Sequence, residues 1–353
     1  MSELPPPQAN PHLFGHERAE AVLLRALAGG RLPHAWLLRG PRGVGKATLA
    51  YRFARRLLAG DDHARAATDP ANPVFRMVAN KAHPDLRVLE RTLNPKTGRL
   101  AKEILVDQVR QADDALYATA ARAGRKVLIV DAADELNLSG ANALLKLLEE
   151  PPASVVMLLV CQRPGLLPPT ILSRCAQLPL APLPEIELQA GLAALVPALP
   201  VERRAALAEL AEGSLGRALE LDADAWLDRY AGLLPELAAA RRSSAARLAL
   251  AAKLVQSGDA PGFAGAAELL GFALRRLAYH RAGRRLAELF AGERRCLDEL
   301  ATGRGLDHWV GLWDKLAALA ARVDAVNLDP LQALLQVVQA ICATDPATEL
   351  SIA

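Results

Sequence analysis

The octet Gly40-Pro41-Arg42-Gly43-Val44-Gly45-Lys46-Ala47 constrains this chain more than any other feature. It follows the apolar run Trp36-Leu37-Leu38 and precedes a helical pattern, so it reads as a phosphate-binding loop joining a strand to a helix. Backbone N–H groups of such a loop and of the helix N-terminus make an anion site. Gly40, Gly43, Gly45 and Lys46 are its candidate residues, with the lysine reaching the terminal phosphates. A G-x-x-x-x-G-K-[ST] loop carries a hydroxyl directly after the lysine to hold Mg²⁺. Ala47 stands there instead, and the hydroxyl arrives one residue late at Thr48. One residue is about 100° around a helix, so Thr48 is expected to point away from the metal position. The loop is equipped to cradle phosphates and poorly equipped to cleave them.

Short apolar runs alternate with helical patterns between residues 36 and 180, which signals a parallel α/β sheet. Strands are expected at 36–38, 85–89, 127–130 and 155–160. The helix after the glycine loop carries Ala50, Phe53, Ala54, Leu57 and Leu58 on one face and ends at Gly60. A second helix is predicted over 105–120, with Val109, Ala112 and Leu116 on one face. A third is predicted from an N-cap at Ser139 to Leu148, before Pro151-Pro152. Residues 61–82 and 91–103, the latter containing Asn94-Pro95-Lys96-Thr97-Gly98, read as loops. After Pro184 strands disappear. Ala/Leu/Arg helices follow, broken near Gly213, Ser257–Gly262 and Gly303–Gly305, and parse as a small helical domain and a larger one.

Composition narrows the function classes. A chain of 353 residues is expected to hold about two or three domains. Hydrophobic residues make up 52% and aromatics only 4%, so the core is built from Ala and Leu, a mixture that favours helix. A net charge of +3 is too balanced for nucleic-acid binding by bulk charge, and the few aromatics argue against a plain DNA-binding module. The first 60 residues carry nine Lys or Arg against three acids, a surplus read as a solvated face. Cysteines at 161, 175, 296 and 342 form no C-x-x-C pair, so neither zinc nor a disulfide framework is expected. The Pro-rich start lacks the apolar core of a signal peptide, and no uncharged run of about 18 apolar residues appears. A cytoplasmic chain without membrane association is expected.

Two further motifs bear on chemistry. Val127-Leu128-Ile129-Val130-Asp131 is an apolar strand delivering an aspartate near the metal position. Ala132 follows it, and Asp134 and Glu135 read as surface or cap residues. Ser173-Arg174-Cys175, after Pro169-Thr170-Ile171-Leu172, offers an arginine suited to reach a neighbour's γ-phosphate. Cys175 reads as a small buried hydrophobe, not a nucleophile. In Gly213-Ser214-Leu215-Gly216-Arg217-Ala218-Leu219, Ser214 is an N-cap candidate, and Arg217 either approaches bound phosphates or faces solvent. No triad of carboxylates for two-metal polymerase chemistry appears.

The glycine loop, His83-Pro84-Asp85, Asn142-Ala143-Leu144-Leu145-Lys146-Leu147-Leu148-Glu149-Glu150-Pro151-Pro152 and Thr170-Ile171-Leu172-Ser173-Arg174-Cys175 together resemble the bacterial clamp-loader subunits of the AAA+ class. The resemblance is firm over 12–220 and architectural beyond. It implies a P-loop AAA+ RecA-like parallel-sheet domain over 1–182, a small helical lid over 183–228 and an all-α collar domain over 229–353.

Within that family the gamma/tau motor carries a hydroxyl after the lysine, Asp-Glu on the second motif, an arginine at the position of Gly216 and a Thr-rich sensor after the fourth strand. This chain has Ala47, Ala132, Gly216 and Cys161-Gln162-Arg163 there, and resembles the delta-prime branch of DNA polymerase III. The resemblance implies a non-hydrolysing stator whose Arg174, presented by Ser173 and Cys175, completes the ATP site of an adjacent gamma/tau subunit. Gamma/tau and delta subunits are the implied partners, with the sliding clamp and primed DNA reached through the complex. Whether ATP or ADP occupies Gly40, Gly43, Gly45, Lys46, Thr48 and Asp131 stays open, and hydrolysis is not expected. Many family members carry a four-cysteine zinc module before the His-Pro-Asp turn, and 61–82 has no cysteine. The alternative is an active gamma/tau-type ATPase in which Thr48 and Glu135 compensate.

Overall fold

A computed structural model describes residues 5–60, 63–93, 98, 100–117, 124–152, 154–223, 225–256, 263–284, 286–326 and 329–343. Residues 94–97 of the expected 91–103 loop, the last turn of the helix expected over 105–120 and the break at 257–262 lie outside them. Two compact units are present, Met1–Glu220 and Leu221–Ala353.

The first unit holds the expected parallel α/β sheet, with the glycine loop between its first strand and the following helix and further helices after the sheet in sequence. In chain order it runs α1 (Glu17–Ala28), β1 (Ala35–Arg39), α2 (Lys46–Leu58), α3 (His63–Thr68), α4 (Pro73–Ala79) and β2 (Leu86–Glu90). Then come α5 (Val106–Tyr117), β3 (Lys126–Asp131), α6 (Leu138–Glu149), β4 (Val155–Cys161), α7 (Pro169–Leu172) and β5 (Ala176–Pro179). Helices α8 (Glu185–Leu195), α9 (Val201–Leu210) and α10 (Leu215–Ala223) follow. The five strands lie in the order β2-β3-β4-β1-β5, all pairings parallel. Alternate residues feed two cores. Trp36, Leu38, Val127, Ile129 and Leu158 pack toward α1 and α2, while Leu37, Leu128, Val130, Met157 and Leu159 pack toward α5 and α6. Burial on both faces is why these strands read as unbroken apolar runs. The five residues of the expected α2 stripe are all buried.

Several local expectations are corrected. The 61–82 segment is not a loop, because it holds α3 and α4. Asn72 caps α4 by accepting from Val74 N–H at 2.9 Å, Pro73 occupies the first turn, and Phe75 and Val78 are buried. The cap of α6 is Asn137, not Ser139, since its extended backbone lets Oδ1 accept from Gly140 N–H at 2.7 Å. The basic N-terminal region is not simply a solvated face. Arg55 is fully buried over the Phe75 ring and donates to the Asn10 carbonyl, while Arg52 and Arg56 pair with Glu20. These arginines tie α1 and the segment before it onto α2.

The second unit comprises α11 (Trp226–Ala240), α12 (Ser244–Gln256), α13 (Phe263–Arg281), α14 (Glu293–Ala301), α15 (Leu306–Val326) and α16 (Pro330–Cys342). Its scarce aromatics gather: Trp226 and Tyr230 stack on each other and meet Phe272 edge-on, and Phe290 meets Tyr230 edge-on. Beside them Glu293, fully buried, accepts from Tyr230 Oη at 2.8 Å, from Arg276 Nε at 2.9 Å and Nη2 at 2.7 Å, and from Leu289 N–H at 2.7 Å. Its place in the first turn of α14 also suits a carboxylate electrostatically. Among the described residues, no helix is long and apolar enough to cross a membrane.

Candidate functional site

The glycine loop leaves the C-terminal end of β1, between β4 and β5, and opens directly into α2. Ligands of open parallel sheets bind at that edge. A cavity of about 430 Å³ lies there, bordered by Gly43, Gly45, Lys46, Ala47, Thr48 and Asp131. Its other walls come from the N-terminal segment, including Leu13 and Phe14, and from Leu215, Gly216 and Leu219 of α10. Most sequence-predicted binding residues therefore meet in one place. Thr48, expected to turn away from the metal position, borders the cavity beside Ala47.

Lys46 is 3% exposed, and its Nζ donates to the carbonyls of Gly40 at 2.8 Å and Pro41 at 2.6 Å. Burial lowers its pKa, opposed chiefly by Asp131. Asp131 ends β3, and burial, followed by repulsion from Glu90 and Glu135, pushes its carboxyl up to about 6. Asp134 is not a surface residue. Its side chain is 1% exposed and accepts from Gln162 N–H at 2.8 Å and Arg163 N–H at 3.2 Å, tying the end of β3 to the end of β4. Glu135 lies 2.8 Å from Arg91 Nε. Both carboxylates after Ala132 thus have structural partners.

The backbone cradle suits a polyphosphate. The metal side is poorer, with an alanine after the lysine and a lone aspartate whose proton affinity is raised. Among the described residues, no group of three or more His, Cys, Asp or Glu is placed to hold a metal ion.

Two contacts escaped the sequence reading. His16, buried ahead of α1, donates from Nε2 to the Val44 carbonyl at 2.7 Å, and burial lowers its pKa. The start of α10 also meets the loop backbone to backbone. Gly216 N–H donates to the Gly43 carbonyl at 2.8 Å, and Ser214 Oγ donates to the Arg42 carbonyl at 2.8 Å while capping α10 through Arg217 N–H. Gly43 has φ +75°, and a Cβ on Gly216 would sit 2.8 Å from Gly43 Cα. Two glycines make this approach possible. Arg42 reaches Glu220 at 2.8 Å, and Arg217 lies 3.8 Å from the same carboxylate.

Arg174 belongs to a second cluster, between α7 and β5. Its Nη2 is 2.8 Å from Glu149, its Nη1 donates to the Thr170 carbonyl at 3.1 Å, and its side chain is 36% exposed. Ser173 Oγ donates to the same carbonyl. Cys175 is buried and its thiol is pushed up to about 11 by that burial, so it is a packing residue and not a nucleophile.

Residues 15–184 match the family model described as DNA polymerase III, delta subunit. A Pseudomonas aeruginosa DNA polymerase III subunit delta' is 42% identical over 184 residues, 52% of this chain and 53% of that protein. A Yersinia pestis subunit delta' is 38% identical over 146 residues, 41% of each. A Mycobacterium bovis DNA polymerase III subunit gamma/tau is 33% identical over 193 residues, 53% of this chain and 31% of that protein. The chain spans about half the length of the curated delta' relatives it matches.

Proposed function

We propose, from the match over residues 15–184 and the similarity to subunits delta', that this chain is a clamp-loader subunit of DNA polymerase III and acts as the delta-prime subunit, a non-hydrolysing stator. The observation that carries the reading is Arg174. Its guanidinium is half-exposed and anchored by Glu149 and the Thr170 carbonyl, while the chain's own phosphate site lacks the hydroxyl and the glutamate of a hydrolytic one. An arginine supplied in trans stabilises charge that develops on the transferred phosphoryl group and is worth about 10³-fold or more in rate. Arg174 fills that role for an adjacent gamma/tau ATPase, with Ser173 and Cys175 fixing its presentation.

In this assignment residues 1–182 form the P-loop domain, 183–228 the lid and 229–353 the collar through which gamma/tau and delta subunits assemble. The complex, in the cytoplasm, loads the sliding clamp on primed DNA. ATP or ADP at Gly40, Gly43, Gly45, Lys46, Thr48 and Asp131 serves as a held ligand and is not turned over. An active gamma/tau-type ATPase using Thr48 and Glu135 is the weaker alternative, because Arg91 already pairs with Glu135.

The test is ATP hydrolysis by gamma/tau plus delta with wild-type chain, with Arg174→Ala and with neither. Stimulation by wild type alone is expected. Equal rates in all three would refute the trans-acting arginine, and turnover by this chain alone would refute the stator.

A further inference from the structure

Arg174 is held from outside its own loop. Glu149, the last residue of α6, lies 2.8 Å from its Nη2, and Thr170 supplies the carbonyl that accepts from Nη1 at 3.1 Å. Both leashes are anchored in one core. Leu144, Leu147 and Leu148 of α6 are buried in the same cluster as Ile171 and Cys175, which flank the arginine. Close-packed interiors transmit position, so this shared core fixes the end of α6 relative to the arginine backbone.

The placement of the carboxylate is itself informative. A helix C-terminus favours cations, and α6 ends instead on Glu149, with Glu150 as its C-cap. Lys146 already lies in that last turn, and Arg174 adds a second positive charge from another element, directly at Glu149. Glu149 is 44% exposed and Arg174 36% exposed, and such a pair adds little to folding stability. What it does alter is orientation. A guanidinium presents five N–H donors in one plane. The hydrogen bond to Thr170 and the ion pair with Glu149 restrain that plane and leave Nε–H and other donors for an incoming anion. A free arginine would have to lose its rotamer freedom on engaging one.

We propose that Glu149 is the positioning residue for Arg174, holding its guanidinium plane at the surface for the γ-phosphate bound by a neighbouring subunit. This rests on the trans-arginine reading above. Glu149 touches no reacting atom and acts only through Arg174.

The experiment measures kcat and KM for ATP in the assembled gamma/tau–delta complex containing wild-type chain, Glu149→Ala, Glu149→Gln or Arg174→Ala. Glu149→Ala is expected to lower kcat about three- to tenfold, with KM for ATP unchanged because the neighbour's own loop binds the nucleotide. Glu149→Gln keeps an acceptor oxygen for Nη2–H and is expected to recover most of that loss. Arg174→Ala is expected to lose more than either, and the melting temperature of Glu149→Ala should match wild type. Wild-type kcat in Glu149→Ala beside a depressed Arg174→Ala overturns the positioning role and leaves the trans arginine standing. A raised kcat in Glu149→Ala also overturns it, marking the carboxylate as a restraint that competes with phosphate. Wild-type kcat in Arg174→Ala removes the trans-arginine reading, and the role of Glu149 with it.

Discussion

Gly216→Ala should loosen the lid from the phosphate loop. The new Cβ would stand 2.8 Å from Gly43 Cα, 3.1 Å from its carbonyl oxygen and 3.4 Å from its carbonyl carbon. All three are backbone atoms of a loop held in a left-handed conformation, so no side chain can rotate away. Overpacking of this kind costs about 1–3 kcal/mol. Lengthening the 2.8 Å bond from Gly216 N–H to the Gly43 carbonyl removes about another 0.5–1.5 kcal/mol. Alanine is the better helix former by about 0.5–1 kcal/mol, which offsets part of the loss. The balance is about 1–3 kcal/mol against lid docking, or roughly 5- to 150-fold in the closed-to-open ratio. Amide hydrogen exchange over residues 213–220 reads it directly, because local opening sets the exchange rate there. Gly165→Ala is the control, since its Cβ would meet nothing within 4 Å. Unchanged exchange in Gly216→Ala, equal to that of the control, would show that the lid is not held by this contact in solution.

Three further outcomes are expected. The carboxyl of Asp131 is raised from 3.8 to about 6 on folding, so the folded state takes up a proton between those values. The stability this group contributes is fully present below about pH 4 and is lost as pH rises through about 6. Asp131→Asn should accordingly raise stability by about 2–3 kcal/mol above pH 6 and by nothing below about pH 4, and identical shifts in melting temperature at both ends would refute this. Glu293→Ala should cost about 3–5 kcal/mol in denaturant unfolding because it leaves Arg276, 3% exposed, buried without its carboxylate; a change under about 1 kcal/mol would contradict the buried pair. Lys46→Ala should impair clamp loading less than Arg174→Ala does, and the reverse order would mean that nucleotide at this chain's own loop governs loading.

Much of the P-loop domain was legible because its signals are local. The α2 stripe, the apolar runs of β3 and β4 and the octet itself depend on residues within a turn or a pleat of one another. Local ambiguity explains the near misses. Asn137 and Ser139 both suit an N-cap, and only the path of the chain out of the turn after β3 decides between them. The segment over 61–82 looked polar enough for a loop, yet Phe75 and Val78 find a core that makes α4 worth forming. The short β5, Ala176–Pro179, has no period of its own and exists as an edge partner of β1.

The sequence by itself determined which chemical groups this chain can offer. A hydroxyl missing at Ala47, a carboxylate missing at Ala132 and an arginine present at Arg174 are chemical facts before any folding. Tertiary structure alone decided what the surrounding residues do. Ser214 reaches Arg42 across 172 positions, His16 reaches Val44 across 28, and Asp134 turns inward to hold backbone amides 28 and 29 positions away. Gly216 illustrates the division. In the sequence it is only the absence of an arginine, whereas in the fold its missing side chain lets the lid backbone bond to the phosphate loop. No residue pattern encodes such a contact, because hydrogen bonds and steric limits act at a few ångströms and only the packed chain sets which groups come that close.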